Sequence, residues 1–265
     1  MNPNLNWLCE SLKMPQVVTD QILQIADQLD VAALEPTFRM LFQEDTWDEG
    51  EELLKAALAP DPLGIRMLTC HLLCALKTHA NYISMGIAES VFLATMDCFP
   101  RFVGEHMESF GCYGFDRDFW SVRQLAGKIF RIGLLEYELH DDVIDIHIPS
   151  GTRLTQDAIA QSIQEGRSFI THYFPQWKDA PMVCHSWLLS PTLRQLLPEV
   201  SGIVTFQNFF TITPTGEEDN SFYQWAFKRE DLSLDQLPEN TSLQRSLKQH
   251  LLQGGRFEDA KGKLK

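Results

Sequence analysis

The chain has 265 residues, 44% hydrophobic and 22% charged, which is enough to bury one large core or two ordinary ones. With 36 acidic residues against 22 lysines and arginines, the formal charge of −14 repels polyanions, so neither nucleic acid nor an acidic membrane surface is expected as a partner. No apolar run approaches the roughly 18 residues of a membrane span, Met1 to Leu12 shows no basic and then apolar leader, and Cys9, Cys70, Cys74, Cys98, Cys112 and Cys184 lack the spacing of a disulfide scaffold. A cytoplasmic protein with reduced thiols is expected.

From Leu5 to about Gly111 apolar residues recur every three or four positions, as in Val18, Ile22, Ile25 and Leu29, and this half reads as helices. Breaks are expected at Pro15, at Pro36, across Ala59–Pro62 and at Gly111–Gly114. The pattern defines a helical domain over residues 1–115. Cys70, His71 and Cys74 have a superficial metal-site spacing. One helix, however, puts Cys70 and Cys74 together with His71 about 100° away, and no second ligand pair follows, so core packing is expected and no metal.

After Phe119 the period changes, and residues 116–265 read as a second, α+β domain. A short helix through Trp120 and Leu125 leads to an alternating run, Phe130–Leu139, then a turn at His140-Asp141-Asp142 and a second alternating run, Val143–Ile148. A two-residue loop at Asp141-Asp142 pairs 139 with 144, 137 with 146 and 135 with 148, which matches apolar to apolar; a shift of one residue would mix the faces. The same register sets Glu138 opposite Asp145 and Glu136 opposite His147, making Glu136 and His147 candidate partners and Glu138/Asp145 a like-charged pair.

Pro149–Leu154 reads as a loop, and Thr155 as the N-cap of a helix whose inner face carries Ile159, Ile163, Ile170 and Phe174. A strand is expected over Met182–Leu189, a helical turn over Pro191–Leu197, strands over Ile203–Thr213 and Ser221–Phe227 with an acidic turn at Thr215–Asn220 between them, and a closing helix over Leu243–Leu252 stopped at Gly254-Gly255.

The order strand, strand, loop, helix, strand, short helix, strand, strand is that of a GNAT acyltransferase from its second strand onward. Phe130-Arg131-Ile132-Gly133, Cys184–Pro191, Leu196-Leu197-Pro198, Thr205-Phe206-Gln207, Ser242–Arg245 and Gly254-Gly255 carry a more specific likeness. On these stretches the chain resembles a bacterial family of acyltransferase-domain proteins that joins a helical N-terminal domain to a GNAT-like C-terminal domain. The resemblance implies an α+β fold with a mixed, mostly antiparallel sheet flanked by helices. It also implies direct transfer from acyl-coenzyme A or acetyl-coenzyme A to a small-molecule or peptide amine. By the same resemblance the central strand Val143–Ile148, at Ile146 and Ile148, runs beside the pantetheine arm, and Ser150, Gly151, Thr152, Arg153 and Thr155 face the pyrophosphate, where a helix start presents unpaired N–H groups. The loop has one glycine where the usual phosphate pattern has two, and Ser190–Leu197 holds no tyrosine to protonate the leaving thiolate. These departures give a second reading, a non-catalytic domain that binds acyl-coenzyme A or a protein partner.

Acyl transfer to an amine needs a base for the ammonium proton and donors for the thioester oxygen. Glu136, Glu138 and His147 are candidate bases; the simpler reading of the two glutamates is a solvated sheet face. Cys184 and His185 are neighbours in a strand and point to opposite faces, so they form no dyad. His185 alone is a further catalytic candidate, against the reading of a satisfied core histidine, and Trp187 is expected to pack. There is no phosphate-binding Walker loop, Gly-x-Ser-x-Gly elbow or His-Glu-x-x-His helix.

Overall fold

The computed structural model describes residues 3–265; Met1 and Asn2, the start of the Met1–Leu12 segment, lie outside the described residues. The chain divides into two compact units, one ending at Arg131 and the other beginning at Ile132. No described helix is long and apolar enough to cross a membrane.

In the first unit the three-and-four period becomes α1 (Pro3–Ser11), α2 (Gln16–Ala26), α3 (Val31–Met40), α4 (Trp47–Leu58), α5 (Ile65–Met85), α6 (Glu89–Met96), α7 (Cys98–Phe110) and α8 (Asp118–Leu125). The breaks at Pro15, Ala59–Pro62 and Gly111 fall between helices, but Pro36 lies inside α3, whose start is fixed by Asp30 accepting from the Ala33 N–H at 3.1 Å. α5 is the spine, with Leu68, Cys70, Leu72 and Cys74 fully buried. Burial pushes the Cys70 thiol up to about 12 and the Cys74 thiol further, as expected of packing residues. His71 is also buried; its Nδ1 lies 2.8 Å from the Ser121 hydroxyl, and burial pushes its pKa down to about 4, so it is neutral at physiological pH.

β1 (Ile129–Ile132) straddles the division, and the second unit continues with β2 (Leu135–Leu139), β3 (Ile144–His147), α9 (Gln156–Tyr173), β4 (Met182–His185), α10 (Pro191–Leu196), α11 (Gly202–Gln207), β5 (Phe210–Glu218), α12 (Ser242–Leu252) and β6 (Glu258–Leu264). The strands form one mixed, mostly antiparallel sheet in the order β1-β2-β3-β4-β6-β5, in which only β3 and β4 are described as a parallel pair. The fold is α+β, with helices against the sheet. The hairpin register is the expected one: Leu139 faces Ile144, Tyr137 faces Ile146, Glu138 faces Asp145 and Glu136 faces His147.

Several elements differ from the sequence reading. The alternating run 130–139 is two strands, because Gly133 at φ +63° turns the chain between them. The strand expected over Met182–Leu189 stops at His185, where Ser186 caps a short 3-10 turn, Trp187–Leu189. Ile203–Gln207 is helical despite its β-branched residues, since the Ser201 hydroxyl accepts from the Val204 N–H at 3.2 Å and the turn buries Val204 and Phe206. The acidic segment from Thr215 continues β5 to Glu218. Ser221–Phe227 is no strand: Tyr223–Phe227 forms a π-helical turn that sends Phe222 and Phe227 into a cluster with Trp187, Leu247 and Phe257. α12 starts where expected, on a capping box between Thr241 and Gln244, but the chain does not close with it; β6 follows.

α9 packs on the apolar face of β2. Ser162 Oγ accepts from the Leu135 N–H at 3.2 Å and lies 3.1 Å from the Tyr137 hydroxyl. The close approach depends on Gly166, where an added Cβ would come within 2.5 Å of the Tyr137 ring. Because that ring is fully buried and cannot swing away, overpacking at about 1–3 kcal/mol outweighs the gain of about 1 kcal/mol in helix propensity. Gly166→Ala is therefore expected to lower the thermal unfolding midpoint; an unchanged or raised midpoint would contradict this packing.

Candidate functional site

Side chains alternate across a sheet, so the register divides its residues between two faces. Leu135, Tyr137, Leu139, Ile144 and Ile146 lie on the α9 face. Glu136, Glu138, Asp145 and His147 lie on the other. Because Asp145 pairs with Val183 and His185 with Lys261, that second face continues through His185 to Asp259 and Lys261. All four catalytic candidates from the sequence, Glu136, Glu138, His147 and His185, fall on this one face.

β3 and β4 pair over only two positions, Ile144 with Met182 and Asp145 with Val183, anchored by the Ile144 N–H donating to Pro181 O at 3.0 Å. Beyond Asp145 and Val183 the ladder between them stops, while β3 runs on to His147 and β4 to His185. His147 and His185 occupy equivalent places, each two residues past the last pair and on the same face. The backbone of Ile146–Ile148 beside the gap has no β4 ladder partner, an uncommon state for strand backbone and one suited to an amide-bearing ligand.

The environments of the two histidines differ. His147 Nε2 lies 2.8 Å from Oε2 of Glu138, its diagonal neighbour, and the same carboxylate oxygen is 3.6 Å from His140. Thus Glu138, not only the cross-strand Glu136, engages His147. Glu136 and Glu138 are 3% and 4% exposed, which corrects the reading of a solvated face. Burial alone would push the His147 pKa down; the Glu138 hydrogen bond and the charges of Asp145, Glu138 and Glu136 outweigh it, and the pKa is raised. Asp145 is raised too, first by burial, with the Glu138 charge adding and His147 opposing; its Oδ1 is buried without a hydrogen-bond partner among the described residues.

His185 is no core histidine. Its side chain is 49% exposed, and its Nε2 hydrogen-bonds Oδ2 of Asp259 on β6. Cys184 points to the opposite, buried face, and burial pushes its thiol well up. Trp187 packs in the aromatic cluster, as expected. Asp259 and the role of Asp145 escaped the sequence reading, although the alternation of Asp259, Lys261 and Lys263 with Ala260, Gly262 and Leu264 carried the signal of a strand.

The loop after β3 joins the gap to α9. Ile146 is buried and Ile148 half-buried; Ser150 and Thr152 are half-buried, while Gly151, Arg153 and Thr155 are exposed. Gly151 turns the loop at φ +75°. The Thr152 hydroxyl is buried with no partner, and the Arg153 guanidinium is unpaired, among the described residues. Thr155 caps α9, accepting from the Ala158 N–H at 3.4 Å. Among the described residues, no group of three or more His, Cys, Asp or Glu is arranged to hold a metal ion.

A mixed sheet whose central parallel strands part, followed by a loop and a long helix, is the architecture of the GNAT-like acyltransferases. Residues 120–264 match the GNAT-like C-terminal domain family, and residues 3–127 match the N-acyltransferase N-terminal domain. The chain belongs to the family with this GNAT-like C-terminal domain, preceded by an N-acyltransferase N-terminal domain. Among solved structures it is similar to an acyltransferase in complex with decanoyl-CoA and teicoplanin, at 23% identity over 97% of this chain and 87% of that one, TM-score 0.79. It is also similar to a mutant acyltransferase in complex with octanoyl-CoA, at 23% identity over 100% and 89%, TM-score 0.81, and to an acyltransferase in complex with CoA and 10C-teicoplanin, at 22% over 100% and 89%, TM-score 0.80. These likenesses establish the fold. No curated protein matches the chain.

A histidine whose folded pKa is raised contributes stability that is fully present below its unfolded value near 6.5 and is lost as pH rises through the folded value. Glu138→Gln is expected to lower the His147 pKa, read by NMR titration of its imidazole, and to remove about 1–3 kcal/mol of stability on the acid side of neutrality. An unchanged His147 titration would contradict the pairing.

Proposed function

We propose that the protein is an acyl-coenzyme A-dependent N-acyltransferase that transfers the acyl group directly to an amine on a small molecule or peptide. The parting of β3 and β4 carries this reading. The β4-facing edge of β3 past its last pair with β4 suits the amides of a pantetheine arm. The loop it enters offers the phosphates Ser150, the Gly151 turn, the unpartnered Thr152 hydroxyl, the unpaired Arg153 and the α9 N-terminus capped by Thr155. On a chain of charge −14 a cationic group at that point is the local exception an anionic cofactor needs. Complexes of similarly folded acyltransferases with octanoyl-CoA and decanoyl-CoA support a medium-chain donor.

In this reading the acceptor reaches the polar sheet face. Its ammonium gives a proton to His147, which Glu138 and Glu136 hold basic, or to His185, which Asp259 orients. The neutral amine nitrogen attacks the thioester carbonyl, backbone N–H groups at the gap hold the oxyanion, and the C–S bond breaks to release the coenzyme A thiolate, which takes up a proton. The single loop glycine and the absence of a tyrosine in Ser190–Leu197 favour a second reading, binding without turnover.

Octanoyl-CoA at 100 times its dissociation constant is expected to add about 2.7 kcal/mol of stability and so to raise the thermal midpoint. An amine panel is expected to release coenzyme A thiol, at a rate lowered at least about 100-fold in the His147→Ala or His185→Ala enzyme. A midpoint shift with no thiol release from any amine would support the second reading, and neither response to octanoyl-CoA, acetyl-CoA or free coenzyme A would overturn both.

A further inference from the structure

Beyond the gap, the polar face carries a feature that acyl-coenzyme A binding does not use. A groove of about 500 Å³ lies over β4, β6 and β5, and His185, Lys261, Lys263, Thr211 and Thr213 are among its lining residues, beside the apolar Val183 and Leu264. The register makes these a regular array. Thr213 stands opposite Lys261 and Thr211 opposite Lys263, and His185 faces Lys261 from the other side. Directly opposed side chains lie about 5 Å apart, and residues two apart along a strand about 7 Å apart. The Cβ atoms of two lysines and two threonines thus mark the corners of one patch, from which their ammonium groups and hydroxyls border the groove.

The lysines of this patch stand outside the ion pairs of the described residues. Neither lysine and neither threonine side chain has a hydrogen-bonding or ion-pairing partner among the described residues. Asp259, two residues before Lys261 on the same face of β6, is engaged by His185. Elsewhere cations sit on acids, as in Lys55–Asp118 at 2.8 Å, Lys248–Glu239 at 2.7 Å and Arg131–Asp97 at 2.9 Å. In a chain with an excess of 14 acidic groups, two adjacent unpaired lysines facing a groove select an anion.

We propose that this patch binds the carboxylate of the acyl acceptor, so that the substrate is an amine that also carries an acid, such as an amino acid or the terminus of a peptide. The inference rests on the acyltransferase reading above and names its acceptor class. The strand order argues against a cofactor phosphate as the anion: β6 and β5 lie two and three positions from β3, about 10–15 Å at the spacing of strands, on the far side of β4 from the loop assigned to the phosphates. His185 lies between the patch and the gap. A carboxylate on Lys261 and Lys263 therefore leaves an amine a few bonds away beside the imidazole, which is the position from which its proton must leave.

The test uses the full-length protein and two product-like probes, N-octanoylglycine and its neutral counterpart N-octanoylglycinamide, with octanoyl-CoA as the control ligand, all followed by isothermal titration calorimetry. The acid is expected to bind at least about tenfold more tightly than the amide. Lys261→Met/Lys263→Met, at exposed positions, is expected to erase that preference while leaving octanoyl-CoA affinity unchanged, and Lys261→Glu/Lys263→Glu to reverse it. Equal binding of acid and amide, binding of neither, or a preference that survives both double substitutions overturns the proposal. Weakened octanoyl-CoA binding in the variants overturns it in favour of a cofactor phosphate. Failure of octanoyl-CoA to bind the wild-type protein sinks the acyltransferase reading instead, separately from the acid-amide comparison.

Discussion

A parallel pair of strands normally continues until one strand ends, because each unpaired N–H or C=O beside a neighbour forfeits a hydrogen bond. β3 and β4 stop pairing after Asp145 and Val183 although both continue for two residues. The flanking strands hold the two arms apart: β2 grips β3 as far as His147 opposite Glu136, and β6 grips β4 as far as His185 opposite Lys261. The gap is therefore built into the register of its neighbours. It puts the parted strand edges, two histidines and the loop that leads to α9 into one region.

The two faces of this sheet do opposite work. On one, Tyr137, Ser162 and Gly166 lock α9 to β2, which fixes the helix start relative to the strand ends. On the other, parity collects ionisable groups with distinct partners. Glu138 holds His147 protonated further up the pH scale despite its burial, while Asp259 orients an exposed His185. Acid therefore concentrates at the β2–β3 end of this face and unpaired base at the β6–β5 end. An acceptor carrying both an ammonium and a carboxylate meets a complementary gradient across the strands.

The hairpin was legible in the sequence because apolar and polar residues alternate without a break on both sides of Asp141-Asp142, and only one register keeps the faces apart. Local chemistry likewise located Thr155 and the start of α12. What failed was decided by tertiary packing. Ile203–Gln207 has the β-branched composition of a strand, but a serine cap and two buried side chains make it a helix. Ser221–Phe227 is aromatic because it fills a cluster, not because it pairs. β6 is hidden by its polarity: its inner residues, Ala260, Gly262 and Leu264, contribute little apolar signal, and Gly262 is small because a Cβ there would meet Leu189 at 2.6 Å. Without β6 the partner of His185 could not be seen, nor could the solvation of Glu136 and Glu138 be judged before the face they share was known.

The measurement that tests the gap most directly is residue-resolved amide hydrogen exchange with and without saturating octanoyl-CoA. Slowed exchange through residues 146–155, the free edge of β3, the loop and the first turn of α9, is the result expected if acyl-coenzyme A lies along the parted strand. Unchanged exchange across that segment, with octanoyl-CoA bound, would mean that the cofactor sits elsewhere and that the parting of β3 and β4 is not its site.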